Sequence, residues 1–175
     1  RPGALAQARA HVARLGLPPQ EIAAALAVAG RRACRSALGI SSGITPEQAS
    51  ELKQIARRES VCLLGPNSLG FQRPKLNLNA STIGPLAEPG LLALVSQSGA
   101  LSSSMLDWAS ENGVGFSSVV SLGPNTSVDI AQVLDYFASD AQTHSIIVYL
   151  EGITSARRFM SALRSAASAK PTVVL

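Results

Sequence analysis

Apolar positions in this chain come in short blocks, separated by longer amphipathic stretches. Ser60–Leu64 (SVCLL), Leu91–Ser96 (LLALVS), Phe116–Ser121 (FSSVVS), Ser145–Leu150 (SIIVYL) and Thr172–Leu175 (TVVL) are each predicted as strands. His11–Leu17 and Arg35–Ser41 are more mixed runs with the same reading. Between the blocks the period changes to that of a helix. Ile130, Val133, Leu134 and Phe137 fall at i, i+3, i+4 and i+7 and predict a helix over Ser127–Ser139. Gln20–Gly30, opened by Pro18-Pro19, Ala100–Asn112 with Leu101, Met105 and Trp108 on one face, and Ser155–Ser168 are further helices. Thr45-Pro46-Glu47-Gln48 is a helix start: Thr45 caps, Pro46 suits the first helical position and Gln48 completes a capping box. Leu52, Ile55 and Ala56 carry that helix's apolar stripe.

Apolar strands alternating with helices are the pattern of parallel sheets covered by helices. The predicted class is α/β, with two doubly wound parallel-sheet units. Residues 1–75 form the first and 91–175 the second. The stretch 65–90, rich in Gly, Pro, Asn and Thr and without periodicity, crosses between them, with the linker proper at 76–90. In such sheets ligands sit beyond the carboxyl ends of the strands.

Composition narrows the class. With 46% hydrophobic and 15% charged residues, the 175-residue chain is that of a globular protein able to bury a core. The longest apolar runs fall short of a membrane span, and a cytoplasmic setting is expected. The first residues, RPGALAQARA, lack a Met and a signal-peptide pattern, and read as the cut end of a longer chain. Cys34 and Cys62 lie in apolar contexts and are expected as buried free thiols. Net charge is uneven: 11 Lys/Arg against 4 acids in residues 1–75 give +7, and 4 against 7 in 76–175 give −3. The basic first unit is either a solubilising surface or the seat of a phosphate-bearing ligand. Seven aromatic residues offer no platform for nucleic acid.

Three motifs sit at predicted strand ends. At Ser96-Gln97-Ser98-Gly99 a strand turns into a helix whose first amides lack intrahelical partners. Small side chains there let an anion approach the backbone; a plain helix cap by Ser98 is the other reading. Gly65-Pro66-Asn67-Ser68-Leu69-Gly70 is either a tight turn or a ligand loop, Asn67 offering donor and acceptor. Glu151 follows a strand directly and either orients a histidine or cation or is a solvated loop acid. Arg157-Arg158, early in a helix, is an exposed face or has an anionic partner. His11 and His144 are the only histidines; with two distant cysteines they make no metal site, and no Ser-His-Asp arrangement is indicated.

Read in order, the blocks "CLLGPNSLGF", "LNAS", "PGLLALVSQSGAL…LDWA", "GVGFSSVVSLG", "VDIAQVLDYFASD", "IIVYLEGI", "RRFMSALRSA" and "KPTVVL" resemble the α portion of NDP-forming acyl-CoA synthetases, the succinyl-CoA synthetase superfamily. The likeness covers residues 60–175 strongly and 18–60 more weakly. It implies the end of a Rossmann-like CoA-binding domain followed by a flavodoxin-like succinyl-CoA-ligase domain. It also implies roles: Ser96, Gln97, Ser98 and Gly99 at a phosphoryl group carried by a histidine, Glu151 as that histidine's acidic partner, and Gly65, Pro66, Asn67 and Ser68 near CoA and the acyl group. The phosphohistidine of the family falls just after the motif matching Lys170–Leu175. The first βα units of the CoA-binding domain and the ATP-grasp part are not matched.

Ser68, where synthetases often have Cys, and "YLEGITSARRF" look most like bacterial protein lysine acetyltransferases, which fuse this region to a Gcn5-related acetyltransferase domain. The favoured expectation is a CoA- or acyl-CoA-binding regulatory region of such a protein. The alternative is the catalytic α portion of an ADP-forming acyl-CoA synthetase. That alternative joins a small carboxylic acid to CoA, with ATP/ADP and Mg handled by an ATP-grasp partner in an oligomer.

Overall fold

The computed structural model describes residues 12–123 and 127–175. The reading of the N-terminal stretch and that of His11 lie outside them. The first unit runs β1 (Val12–Leu15), α1 (Pro19–Arg31), β2 (Ser36–Gly39), α2 (Pro46–Arg58) and β3 (Cys62–Leu64). Its described strands form a parallel sheet in the order β1-β2-β3. Ile22 and Leu26 of α1 and Leu52 and Ile55 of α2 close one core with Leu15, Ala37 and Leu63, so both helices sit on the same face. The capping box forms as expected: Thr45 Oγ1 accepts from the Gln48 amide, and Gln48 Oε1 from the Thr45 amide.

The chain then continues through β4 (Gly70–Arg73), a 3₁₀ turn (Pro74–Leu76) and β5 (Leu78–Ser81). Within the stretch expected to cross between the units, β4 pairs antiparallel with β5 and with β7, so the strands of residues 70–81 belong to the second sheet. Gln72 explains how a stretch without apolar periodicity is ordered. It is fully buried; its Nε2 donates to Ser81 Oγ and the Ile83 and Pro85 carbonyls, and its Oε1 accepts from the Ala87 amide. A buried side-chain amide satisfied on both ends replaces the missing apolar pattern.

The second unit comprises β6 (Pro89–Ser96), α3 (Gly99–Glu111), β7 (Phe116–Ser121), α4 (Ile130–Ser139), β8 (Ser145–Tyr149), α5 (Ala156–Ala169) and β9 (Thr172–Val174). The sheet order is β5-β4-β7-β6-β8-β9, and β7, β6, β8 and β9 run parallel. Alternate residues of β6 face opposite layers. Ala93 and Val95 meet Leu134 and Phe137 of α4 and Phe159 of α5, while Leu94 joins Ala109 of α3. Full burial of Leu134 and Phe137 contributes about 2–3 kcal/mol apiece. On α3 the buried residues are the small Ser102 and Ala109, and Trp108, expected on the packed face, is 58% exposed.

The units are joined closely. The Val128 amide donates to the Leu63 carbonyl, Asn67 N–H to Ser41 O, and Ser68 N–H to Gly39 O.

Candidate functional site

Each predicted motif lies where a parallel strand ends: the Gly65–Ser68 turn after β3, Ser96–Gly99 after β6, and Glu151 after β8; Gly123 follows β7 in the same way. They converge. Asn67, Gln97, Gly123, Glu151, Gly152, Ile153 and Thr154 line one open cleft of about 570 Å³.

Asn67 is exposed on the cleft wall with φ +55, a left-handed conformation that Asn tolerates better than most residues. Gly65 and Pro66 are buried beneath it. Ser68, expected beside CoA, is also fully buried. Its Oγ donates to Ser121 O at 2.5 Å and accepts from Gly70 N–H at 2.9 Å. It supports the turn from below.

The Ser96–Gly99 turn contains the expected cap and uses most of its own polar groups. Gln97 N–H donates to Tyr149 O, and Ser98 N–H donates to Ser96 Oγ. Ser96 Oγ in turn donates to Ser98 O, and Ser98 Oγ caps α3 by accepting from Leu101 N–H. Among the described residues, the Gly99 and Ala100 amides meet no protein acceptor. Those two N–H groups lie at the positive end of the α3 dipole. Gly99 also has a packing reason: a Cβ there would sit 2.7 Å from Leu69 Cδ1.

Gln97 reaches across the cleft. Its Oε1 accepts from the amides of Glu151 (2.6 Å) and Gly152 (3.0 Å), and its Nε2 donates to Gly152 O (2.9 Å). The 151–152 loop is therefore fixed by a side chain expected at a phosphate. Glu151 itself is exposed and, among the described residues, is the one charged side chain on the cleft lining. Arg158 pairs with Asp129 at 2.8 Å, so the anionic partner exists but belongs to the α4 capping box; Arg157 is exposed on the α5 surface. His144 is exposed, its amide held by Leu91 O, away from the cleft.

Sequence reasoning passed over Gly123. Its φ is +65, and a Cβ would lie 2.4 Å from Pro66 O and 2.6 Å from Asn67 O. Only a glycine lets the end of β7 approach the Gly65–Asn67 turn so closely. The available signal was a glycine immediately after a predicted strand, the same placement that singled out Gly65.

With this geometry, the comparisons with known proteins are specific. Residues 89–175 match the family described as succinyl-CoA ligase like flavodoxin domain. Over 165 residues, 91% of its length, the chain is 37% identical to an acetate–CoA ligase [ADP-forming] I of Archaeoglobus fulgidus, of which it covers 24%. Over 126 residues, 71% of its length, it is 39% identical to the acetate–CoA ligase [ADP-forming] I subunit alpha of Pyrococcus furiosus, covering 27% of it. Among solved structures it superposes on dinucleotide forming acetyl-coenzyme A synthetase 1 of Ca. Korarchaeum cryptofilum in complex with phosphate and ADP. The TM-score is 0.92 at 29% identity, over 97% of this chain and 38% of that one. The chain thus spans about a quarter of the length of these two ligases. The relatives support the NDP-forming acyl-CoA synthetase superfamily. They are ligases, and they favour the synthetase alternative over the acetyltransferase expectation. No helix among the described residues is long and apolar enough to cross a membrane.

Proposed function

We propose that this chain is the α-like portion of an ADP-forming acyl-CoA synthetase, which converts a carboxylic acid, CoA and ATP to acyl-CoA, ADP and phosphate. The observation that carries the reading is the convergence of Asn67, Gln97, Gly123 and Glu151 on one cleft at the carboxyl ends of four parallel strands. Relatives named as ADP-forming acetate–CoA ligases, and the solved acetyl-coenzyme A synthetase in complex with phosphate and ADP, add support.

In this reading the Gly99 and Ala100 amides hold an oxygen of the phosphoryl group in transit, as unpaired donors at a helix N-terminus do. Glu151 orients the imidazole that carries the phosphoryl group and accepts its N–H. Gln97 holds Glu151 in place, and the Gly65–Asn67 turn faces CoA and the acyl group. The phosphohistidine and the ATP-grasp part, with ATP/ADP and Mg, are assigned to the rest of the protein. An oligomer in the cytoplasm would suit such an assembly.

The test is acid- and CoA-dependent ADP formation by the full-length protein. Activity with a short carboxylate is expected, and Glu151→Gln should lower turnover about 100-fold, in the range of acid–base effects, with CoA affinity unchanged. Wild-type turnover in Glu151→Gln would remove Glu151 from the mechanism. Acetyl transfer to a protein lysine without ADP formation would return the acetyltransferase reading.

A further inference from the structure

Uncompensated charge gathers at two separate places in this fold. At the first, α1 and α2 end side by side: a Cβ on Gly30 would collide with Glu59 Cβ, and the Cys62 amide donates to Arg35 O at 2.8 Å. Arg31, Arg32, Arg35, Arg57 and Arg58 are all exposed there. Among the described residues, only Arg58 of these five meets an acid, its neighbour Glu59 at 2.9 Å. Cations in a last helical turn complement the helix dipole, which accounts for Arg31, Arg57 and Arg58. Arg32 and Arg35 lie past the end of α1 and have no such local reason.

The second place is the end of α3. Asp107 and Glu111 stand one turn apart at its C-terminus, and its last turn holds no basic residue. Like charges at i and i+4 repel, and both add to the negative end of the dipole, so neither helps α3 to form. Glu88 and Asp107 share the lining of a cavity of about 210 Å³ with Leu106, Val114 and Phe116. All three acids are exposed and meet no cation among the described residues. Trp108, next to Asp107, is 58% exposed. The sequence has no Lys or Arg between Lys75 and Arg157.

The two places are complementary. A guanidinium binds carboxylates in a fork, stacks on an indole face and carries an aliphatic stem that an apolar cavity accepts. Within one molecule no ion pair links the two among the described residues. Each lies at the strand-start edge of its own sheet, because a crossover helix ends where the next strand begins. The candidate cleft gathers the strand ends instead, so contact between the two places leaves it open. Residues 12–64 contain no aromatic side chain, so the Arg end offers nothing for nucleic-acid bases to stack on.

We propose that the Arg end of one copy docks on the α3 end of a second copy, its guanidinium groups meeting Glu88, Asp107 and Glu111 and one of them stacking on Trp108. The charge crowded at the end of α3 is then neutralised by the partner copy rather than within the chain. The contact joins unlike surfaces, so it is head-to-tail and each pair keeps one free end of either sign. It is independent of the chemistry assigned to the cleft.

Sedimentation velocity of the full-length protein tests this. A self-association step should weaken about ten-fold or more between about 0.05 and 0.5 M salt, as screening of exposed ion pairs requires. The double variants Arg32→Glu/Arg57→Glu and Asp107→Lys/Glu111→Lys should each lose that step. Their equimolar mixture should regain it, since each supplies the end that the other has lost. Absence of a salt-sensitive step, a variant that keeps it, or a mixture that stays dissociated would overturn the proposal. So would a protein that remains monomeric at low salt while its Arg end holds polyglutamate or duplex DNA, which would give that end to a foreign polyanion. The salt series on unmodified protein stands by itself if a variant does not fold.

Discussion

Gln97 and Gly152 hold each other twice: the Gly152 amide donates to Gln97 Oε1 at 3.0 Å, and Gln97 Nε2 donates to Gly152 O at 2.9 Å. The same Oε1 also accepts from the Glu151 amide. A residue in the turn after β6 thus sets the position of the carboxylate after β8. Gln97→Ala removes all three bonds. Because they are partly exposed, the expected stability loss is only about 1 kcal/mol. Hydrogen exchange at the 151–152 amides should rise while that of β8 stays unchanged. Gln97→Glu keeps both acceptor contacts but loses the donor, and should fall between the two. Unchanged exchange in Gln97→Ala would remove this clamp.

Gly123 and Gly113 share a left-handed backbone, φ +65 and +66, but differ in surroundings. A Cβ at Gly113 meets nothing within 4 Å, whereas at Gly123 it collides with the Pro66 and Asn67 carbonyls. Gly113→Ala should therefore cost about 1–2 kcal/mol, the conformational term alone. Gly123→Ala should cost clearly more and separate the end of β7 from the Gly65–Asn67 turn. Parallel chemical denaturation of the two variants decides this, and equal midpoints would mean that the close approach carries no weight.

Ser68 tests whether the turn after β3 acts by touching ligand or by holding its own shape. Its hydroxyl joins Ser121 O to the Gly70 amide inside the protein. Ser68→Ala leaves both unsatisfied in a buried place, for a loss of about 1–3 kcal/mol. Ser68→Cys, a weak donor of similar shape, should recover part of it. If Ser68→Ala melts like the wild type yet loses CoA affinity, the residue acts on the ligand and the supporting role is wrong.

How far the sequence discloses all this depends on which force organises each segment. The helix over Ile130–Ser139 and the strand Phe116–Ser121 follow apolar spacing, because burial against the sheet is what orders them. The capping box at Thr45 and Gln48 was legible because the interaction is local. Residues 70–88 were not, since a single buried Gln72 ties them down through bonds to Ser81, Ile83, Pro85 and Ala87. Trp108 was misplaced because the small Ser102 and Ala109, rather than the largest apolar residues, form the contact side of α3. At the candidate site the strand-end positions were readable, but their division of labour was not. That Gln97 grips a loop, and that Ser68 lies under the surface, depends on partners more than fifty positions away.

The two cysteines differ in a way that their similar sequence contexts concealed. Cys34 is buried, with its thiol directed to Ser36 O, while Cys62 at the start of β3 is exposed. Partial desolvation still raises the Cys62 thiol above its ordinary range, so the folded state holds that proton more firmly than the unfolded chain does. The sign follows from linkage. The contribution of Cys62 to stability is fully present below the thiol's unfolded-state pKa and is lost as pH rises through the higher folded value. Iodoacetamide should accordingly modify Cys62 in the folded chain, but more slowly near pH 8 than the same cysteine in urea, with the gap closing at higher pH. Cys62→Ser should flatten the alkaline side of the stability profile. A folded-state alkylation profile that coincides with the unfolded one would show that the rim of β3 is fully solvated.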